Sequence, residues 1–240
     1  MNLALVRLPL PRGGEIAALD YEPRRPRGVT LVTGHGYSSS KANLDSLCAF
    51  LASHGYRVVS VDFPGHKLGS SGGRLGSIDD LTATLATAIA HVRETARGEV
   101  IYTMGHSMGA MTALRACAAD ATIAGAVSIA TGYGRPNALA ALGLRGSVDL
   151  RSSYVDGLTL PEVVAATESV VDVALAALAG RPVLYVAADR DGMVSPASAA
   201  ELFTIAPEPK TFVTIESDHT YAGERARAAV LAWLNERHPR

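Results

Sequence analysis

The chain has 240 residues, 48% of them hydrophobic, and a formal net charge of −1, which suits one packed globular domain and not a disordered or fibrous chain. With charge so nearly balanced and the arginines scattered, no long-range field attracts nucleic acid or an anionic membrane, and neither is expected as a partner. No apolar run approaches the roughly 18 residues of a membrane span, and residues 1–9, interrupted by Arg7 and Pro9, do not read as a signal peptide, so the expectation is a cytoplasmic protein.

Residues 3–8 and 15–20 are apolar segments separated by Pro11-Arg12-Gly13-Gly14, the pattern of an antiparallel hairpin at a sheet edge. After a Pro- and Arg-rich loop, residues 29–33 form a short, wholly apolar strand of the kind buried inside a parallel sheet. The loop Gly34-His35-Gly36-Tyr37-Ser38 follows, rich in residues that let backbone amides approach a ligand. Leu44, Leu47, Cys48 and Leu51 then recur at helical spacing up to Gly55, a C-terminal stop. Residues 56–61 are the next strand, ending in Asp62-Phe63-Pro64-Gly65-His66, where His66 is expected to hydrogen-bond its own turn and not to serve as a catalytic base. An amphipathic helix over 79–96, capped by Ser77 or Asp79, leads to the strand that begins at Val100.

That strand runs straight into Gly105-His106-Ser107-Met108-Gly109 and then, with no loop, into the helix formers that begin at Ala110. Gly-x-Ser-x-Gly between strand and helix is a sharp turn that holds Ser107 exposed at the end of the sheet, the two glycines allowing strand and helix to close together. A serine hydroxyl is a weak nucleophile at neutral pH, so the turn has chemical value only if a histidine takes its proton and an acid orients that histidine. Residues 123–130 are a further apolar strand, and the alternation of strand and helix implies right-handed crossovers and a mainly parallel sheet, with ligands at the carboxyl ends of the strands.

From 131 to about 180 the strand rhythm stops, and Thr159-Leu160-Pro161-Glu162 opens a helix by a capping box. The segment is expected to be a short, lid-like insertion within a single domain spanning 1–240, with Tyr133, Leu139, Leu142, Leu144 and Tyr154 able to form an apolar wall for a substrate. Residues 182–188 restore the strand and deliver Asp189 and Asp191 at its end, while 210–216 are the last strand, followed by Asp218 and His219 and then by a helix over 222–237. Either aspartate of the first turn could reach a histidine on the next loop, and His219 stands where a base is needed. Cys48 and Cys117 lie in apolar helical patterns and are expected to be buried thiols, and the seven histidines include no metal-binding pair, so no metal is expected.

The chain order Ser107, Asp191, His219, each after a parallel strand, resembles the α/β-hydrolase superfamily over essentially the whole chain. Gly34-His35-Gly36-Tyr37 looks like its oxyanion loop and Gly105-His106-Ser107-Met108-Gly109 its nucleophile elbow, and its Gly-x-x-Asp-x-x-Val pattern falls on Ala188, Asp191 and Val194, selecting Asp191 over Asp189. The resemblance implies a mostly parallel sheet of about eight strands with helices on both faces. It implies Ser107, His219 and Asp191 as nucleophile, base and acid and the backbone amides of Tyr37 and Met108 as oxyanion donors; Gly36, His106, Tyr133 and Tyr154 are the expected substrate contacts. No cofactor is implied. Serine at the elbow departs from the dehalogenase and epoxide-hydrolase branches, which resemble this fold but carry aspartate there. The small size and short insertion look most like carboxylesterases or monoacylglycerol-lipase-like enzymes acting on small or medium acyl chains of a small-molecule ester. A thioesterase, a carbon–carbon bond hydrolase or a peptidase would use the same triad, and a non-catalytic ligand sensor could retain the same pocket.

Overall fold

A run of β-branched and small apolar residues without polar alternation must be covered on both faces, and the segments of this kind occupy the middle of the sheet. In the computed structural model, which describes residues 1–10, 13–134 and 145–239, the strands β3 (Val29–Gly34), β4 (Arg57–Val61), β6 (Gly125–Ile129) and β7 (Val183–Ala188) are buried along their full length. The strands β1 (Asn2–Pro9) and β8 (Lys210–Ile215) are the edges, and Leu3 and Leu5 of β1 face solvent. With β2 (Glu15–Glu22) and β5 (Val100–His106) they make one eight-stranded sheet in the order β1-β2-β4-β3-β5-β6-β7-β8, antiparallel for β1, β2 and β4 and parallel from β4 to β8.

Two apolar cores flank the sheet. One packs α2 (Ile78–Thr95), α3 (Met108–Ala119) and the helices Leu160–Glu168 and Val171–Ala176 through Leu85, Ile89, Leu114, Val163 and Leu175. The other packs α1 (Asp45–Ser53) and the C-terminal helix Arg227–Arg237 through Leu47, Leu51, Val230 and Leu234. Cys48 and Cys117 are buried, unpaired thiols, and burial raises both pKa values, that of Cys117 to about 11. Among the described residues no helix is long and apolar enough to cross a membrane.

Local expectations and structure agree closely where the signal is local. Of the two possible caps for α2, Ser77 is the one used: its N–H donates to Asp80 Oδ2 at 2.8 Å within a capping box. The hairpin of β1 and β2 is present, although Pro11 and Arg12 of its turn lie outside the described residues. The segment of helical spacing that leads to Gly55 begins as a 3-10 turn, Lys41–Leu44, before α1. Asp62, at the end of β4, draws the chain in at that point, its Oδ1 accepting the Lys41 N–H at 2.7 Å while the Lys41 ammonium pairs with Oδ2. In the 131–180 segment the capping box of Thr159 and Glu162 opens the helix Leu160–Glu168, and a helix that periodicity did not reveal, Arg145–Ser153, precedes it.

Chain order and sheet order diverge at one place that matters. From β3 the chain moves outward to β4 and then returns across β3 to β5, so the loops leaving β3 and β5 emerge side by side at the carboxyl end of the sheet. Such a switch point leaves a crevice into which both loops can direct backbone and side-chain groups.

Candidate active site

β5 ends at His106 and α3 begins at Met108, which leaves Ser107 alone to make the turn, at φ 56° and ψ −116°. That backbone conformation costs a non-glycine residue about 1–3 kcal/mol, and the surrounding structure enforces it. The Ser107 N–H donates to Ile129 O at 2.8 Å, a Cβ at Gly105 would fall on the Gly109 carbonyl, and a Cβ at Gly109 would fall on the Gly34 carbonyl. Glycine at both positions is therefore a packing requirement, which brings β3, β5 and α3 into backbone contact around the serine.

β7 and β8 are parallel neighbours in register to Ala188 and Ile215, so the turns that follow them lie together. Asp191 and His219 sit on those turns, and the His219 ring reaches back to the elbow. His219 Nε2 is 3.0 Å from Ser107 Oγ and Nδ1 is 2.7 Å from Asp191 Oδ2, with all three residues less than a tenth exposed; Ser107, expected to stand exposed at its turn, is buried beneath the residues that line the site. An ionised carboxylate only accepts, so Nδ1 carries the proton and Nε2 is left to accept from the serine hydroxyl. Burial works to raise the Asp191 pKa, but the His219 imidazole and the N–H groups of Val194 (2.7 Å) and Met193 (2.8 Å) outweigh it and hold the carboxyl below its usual range.

The competing carboxylates have other partners. Asp189 Oδ1 accepts the Ser217 N–H at 2.9 Å, joining the two turns, and Asp218 Oδ1 accepts the Tyr221 N–H at 3.0 Å. His66 bonds its own turn through Nδ1, 3.1 Å from Pro64 O. His106 lines the site and, in addition, its Nε2 lies 2.8 Å from the carbonyl oxygen of His219, a bond that steadies the backbone carrying the imidazole.

Opposite the serine, the loop after β3 lies so close that a Cβ at Gly36 would stand 3.4 Å from Ser107 Cβ and 3.1 Å from His106 Nδ1. Tyr37 follows Gly36 on that loop, and Met108 is the first residue of α3, where the N–H groups have no intrahelical acceptor and carry the positive end of the helix dipole. The groups that hold the loop were not singled out in the sequence. Fully buried His35 donates from Nδ1 to Gly36 O (2.8 Å) and accepts the Phe63 N–H at Nε2 (3.0 Å). Asp62, also fully buried, accepts the N–H groups of Lys41 and Ser70, each at 2.7 Å.

Burial and the neighbouring His66 press the His35 pKa down to about 3. Against an ordinary value near 6.5, the unfolded chain binds more protons throughout that interval, so stability falls as pH drops from about 6.5 toward 3 and is complete above it. His66, whose pKa burial also lowers, adds in the same sense. The expected result is a Tm that falls steadily on acidification from pH 7 to pH 5, before most carboxylates titrate, as the free energy of unfolding drops by up to about 1.4 kcal/mol per pH unit for each histidine. Thermal unfolding followed by circular dichroism measures it, and a flat Tm across that window would contradict it.

Two cavities meet at Ser107. The wider, ≈ 110 Å³, runs past His219, Thr220, Ser38, Asn43 and Arg151. The narrower, ≈ 20 Å³, is lined by Met108, Met111, Val163 and Val164 and also by Glu168. Tyr37 and Leu160 line both. A larger cavity of ≈ 540 Å³ between Leu10, Pro64 and Ala83 does not include Ser107 in its lining.

Of the expected substrate contacts, Gly36 and His106 line the wider cavity, whereas Tyr133 and Tyr154 line neither. Tyr133 is held through its backbone to Ser198 at the helix Pro196–Ile205, and Tyr154 is exposed at the end of the helix Arg145–Ser153. Leu139, Leu142 and Leu144 lie outside the described residues. The apolar wall comes instead from Leu160, Val163 and Val164, which follow the capping box that the sequence did reveal. Among the described residues no three His, Cys, Asp or Glu side chains converge to hold a metal.

Residues 24–166 match the family described as serine aminopeptidase, S33. The match takes in the loop after β3 and the elbow and stops before Asp191 and His219. No curated protein sequence gives a significant match. Among solved structures, the chain is similar to Est1E from Butyrivibrio proteoclasticus, there with ferulic acid bound, at 17% identity and a TM-score of 0.76 over 96% of this chain and 98% of that one. GrgF, an alpha/beta hydrolase from Penicillium sp. sh18, is 17% identical with a TM-score of 0.74 over 99% of each chain. The esterase domain of a Rhodothermus marinus protein is 19% identical with a TM-score of 0.72 over 98% of this chain and 99% of that one. At these identities the likeness carries the fold, an eight-stranded, mostly parallel sheet between helical layers, as the sequence led us to expect.

Proposed function

The chain belongs to the serine aminopeptidase, S33 family of the α/β-hydrolase superfamily, and from that premise we propose that it hydrolyses carboxylic esters of short acyl chains through an acyl-enzyme on Ser107. The observation that carries the reading is the line of hydrogen bonds from Asp191 through His219 to Ser107, 2.7 and 3.0 Å long, opening on a cavity to either side of the hydroxyl.

Ser107 Oγ bonds to the ester carbon as its proton passes to His219 Nε2. The carbonyl oxygen takes the negative charge and meets the N–H groups of Tyr37 and Met108, each such donor being worth about 3 kcal/mol of barrier. The C–O bond then breaks, the alcohol leaves with the proton from His219, and the acyl group stays on the serine. Water gives a proton to His219 and its oxygen to the acyl carbon, the acid departs, and the proton returns to Ser107. Since His219 must deliver its proton to the leaving oxygen, the alcohol belongs in the cavity that His219 lines and the acyl chain in the narrower one among Met108, Met111 and Val163. A cavity of ≈ 20 Å³ takes only a few carbons.

In this reading the 131–180 segment serves as a wall of the site. Its backbone is joined to the loop after β4 by Asp156 N–H to Gly65 O (2.8 Å) and Leu158 N–H to Leu75 O (2.9 Å), which keeps Leu160 against the serine. One feature favours a second reading: Glu168 beside the acyl cavity could hold a free amine, as an aminopeptidase requires. Its carboxylate already receives the Gly134 N–H, which weighs toward esters.

A fluorophosphonate probe and p-nitrophenyl esters from acetate to dodecanoate test the proposal. The expected result is stoichiometric labelling at Ser107 and a kcat/KM that peaks at acetate to butyrate and falls with longer chains. An unlabelled protein that hydrolyses none of the series would overturn it, and faster turnover of aminoacyl anilides than of the esters would favour the aminopeptidase.

A further inference from the structure

The wider cavity has a polarity that ester hydrolysis alone does not demand. Of the described side chains that line it none is acidic, and Arg151 brings its only permanent charge. Among the described residues the guanidinium makes one long hydrogen bond, Nη1 to Ser38 Oγ at 3.4 Å, and no ion pair. Residues 135–144, on the chain just before this helix, contain no acidic side chain either. Around it stand neutral donors, the hydroxyls of Ser38, Ser39 and Thr220 and the amide of Asn43.

The backbone that presents Arg151 is held in place from outside the helix. Lys67 donates its N–H to Tyr154 O at 3.0 Å and its ammonium to Ser153 O at 2.9 Å, and Ser152 Oγ accepts the Leu160 N–H at 3.2 Å. A guanidinium offers a planar fork of donors that matches a carboxylate, and placed on a fixed element it loses less freedom on binding than a lysine would. One positive charge in a small cavity balances one negative charge, which favours a monoanion over the dianion of a phosphate monoester.

We propose that Arg151 is a specificity-determining residue that binds a carboxylate on the alcohol part of the substrate, so that the preferred substrates are short-chain acyl esters of hydroxy acids. The inference rests on the ester-hydrolase reading above, because it assigns the leaving group to the cavity that His219 shares. The alcohol departs as before with the proton from His219, and the carboxylate takes no part in bond making or breaking.

The test uses the 240-residue chain and four butyrate esters: that of glycolate, that of its neutral, size-matched counterpart glycolamide, and those of ethylene glycol monophosphate and of choline. For the wild type, kcat/KM on the glycolate ester is expected to exceed that on the neutral glycolamide ester by roughly ten- to a hundredfold, the worth of a charge-assisted hydrogen bond. Arg151→Met is expected to bring that ratio to about one, and Arg151→Glu to shift the preference to butyrylcholine; circular dichroism and fluorophosphonate labelling show that each variant is folded. A wild-type ratio near one, or a ratio that survives in Arg151→Met, overturns the inference while the hydrolase reading stands. A phosphate ester preferred over the glycolate ester overturns the assignment to a carboxylate. If the wild type hydrolyses none of the four and takes no label, the hydrolase reading itself fails and the inference with it.

Discussion

Ser107→Ala is expected to lower kcat on a short aryl ester by roughly 10⁴–10⁶-fold, with the far-UV spectrum and Tm close to those of the wild type. The hydroxyl contributes one hydrogen bond to the fold, to His219, whereas in the proposed mechanism it contributes the bonding electron pair to the reaction. His219→Ala is expected to cost a similar factor, because a serine without a base at 3.0 Å keeps its proton. The double variant should be no slower than either single one, since the two act as a unit and the remaining rate belongs to the oxyanion donors and to binding. Steady-state kinetics on the purified variants, with labelling to exclude wild-type contamination, measure this. A Ser107→Ala enzyme that retains a tenth of its activity would place the chemistry elsewhere.

Asp191→Asn is expected to lower kcat by roughly 10⁴-fold. An asparagine there can turn its amide N–H toward Nδ1, which places the imidazole proton on Nε2, and a protonated Nε2 cannot accept from Ser107. The substitution changes little in volume and keeps an oxygen for the N–H groups of Met193 and Val194, so the loss should appear in kcat with modest change in Tm. Asp189→Asn, two residues away, is the control: that carboxylate receives the Ser217 N–H and should affect stability more than rate. Equal losses of kcat in the two variants would contradict the assignment of Asp191 as the orienting acid.

Much of what depends on neighbours in the chain was legible without coordinates, the helix Arg145–Ser153 being the exception. The abrupt passage from Val100 to Gly105 to Ala110 requires a strand, a turn and a helix, and the clash that a Cβ would make at Gly105 or Gly109 is the physical content of that signal. The capping residues Ser77 and Thr159 announced their helices for the same reason, since a cap and its N–H donors are a few residues apart. Asp191 could be preferred over Asp189 only through the spacing of a family pattern, because residues two apart in a turn have similar local surroundings. The partner that separates them, His219, lies on a different turn 28 positions away.

The rest was decided by folding. Hydrophobic periodicity tells which face of an element is buried and says nothing of which element covers it. For that reason Tyr133 and Tyr154, aromatic and well spaced in the insertion, were expected in a wall that Leu160, Val163 and Val164 build instead. The tethering of the β3 loop by His35, Asp62 and Lys41 and the approach of Arg151 to Ser38 join residues from separate parts of the chain, the last pair 113 positions apart. The sequence by itself determined most of the strands and helices and the sharp turn at Ser107, because each is written in residues within a turn or two of one another. The order of strands in the sheet, the partners of each carboxylate and the placing of Arg151 in a cavity with Ser107 and His219 were settled only by tertiary structure, where contact depends on which surfaces pack together and not on distance along the chain.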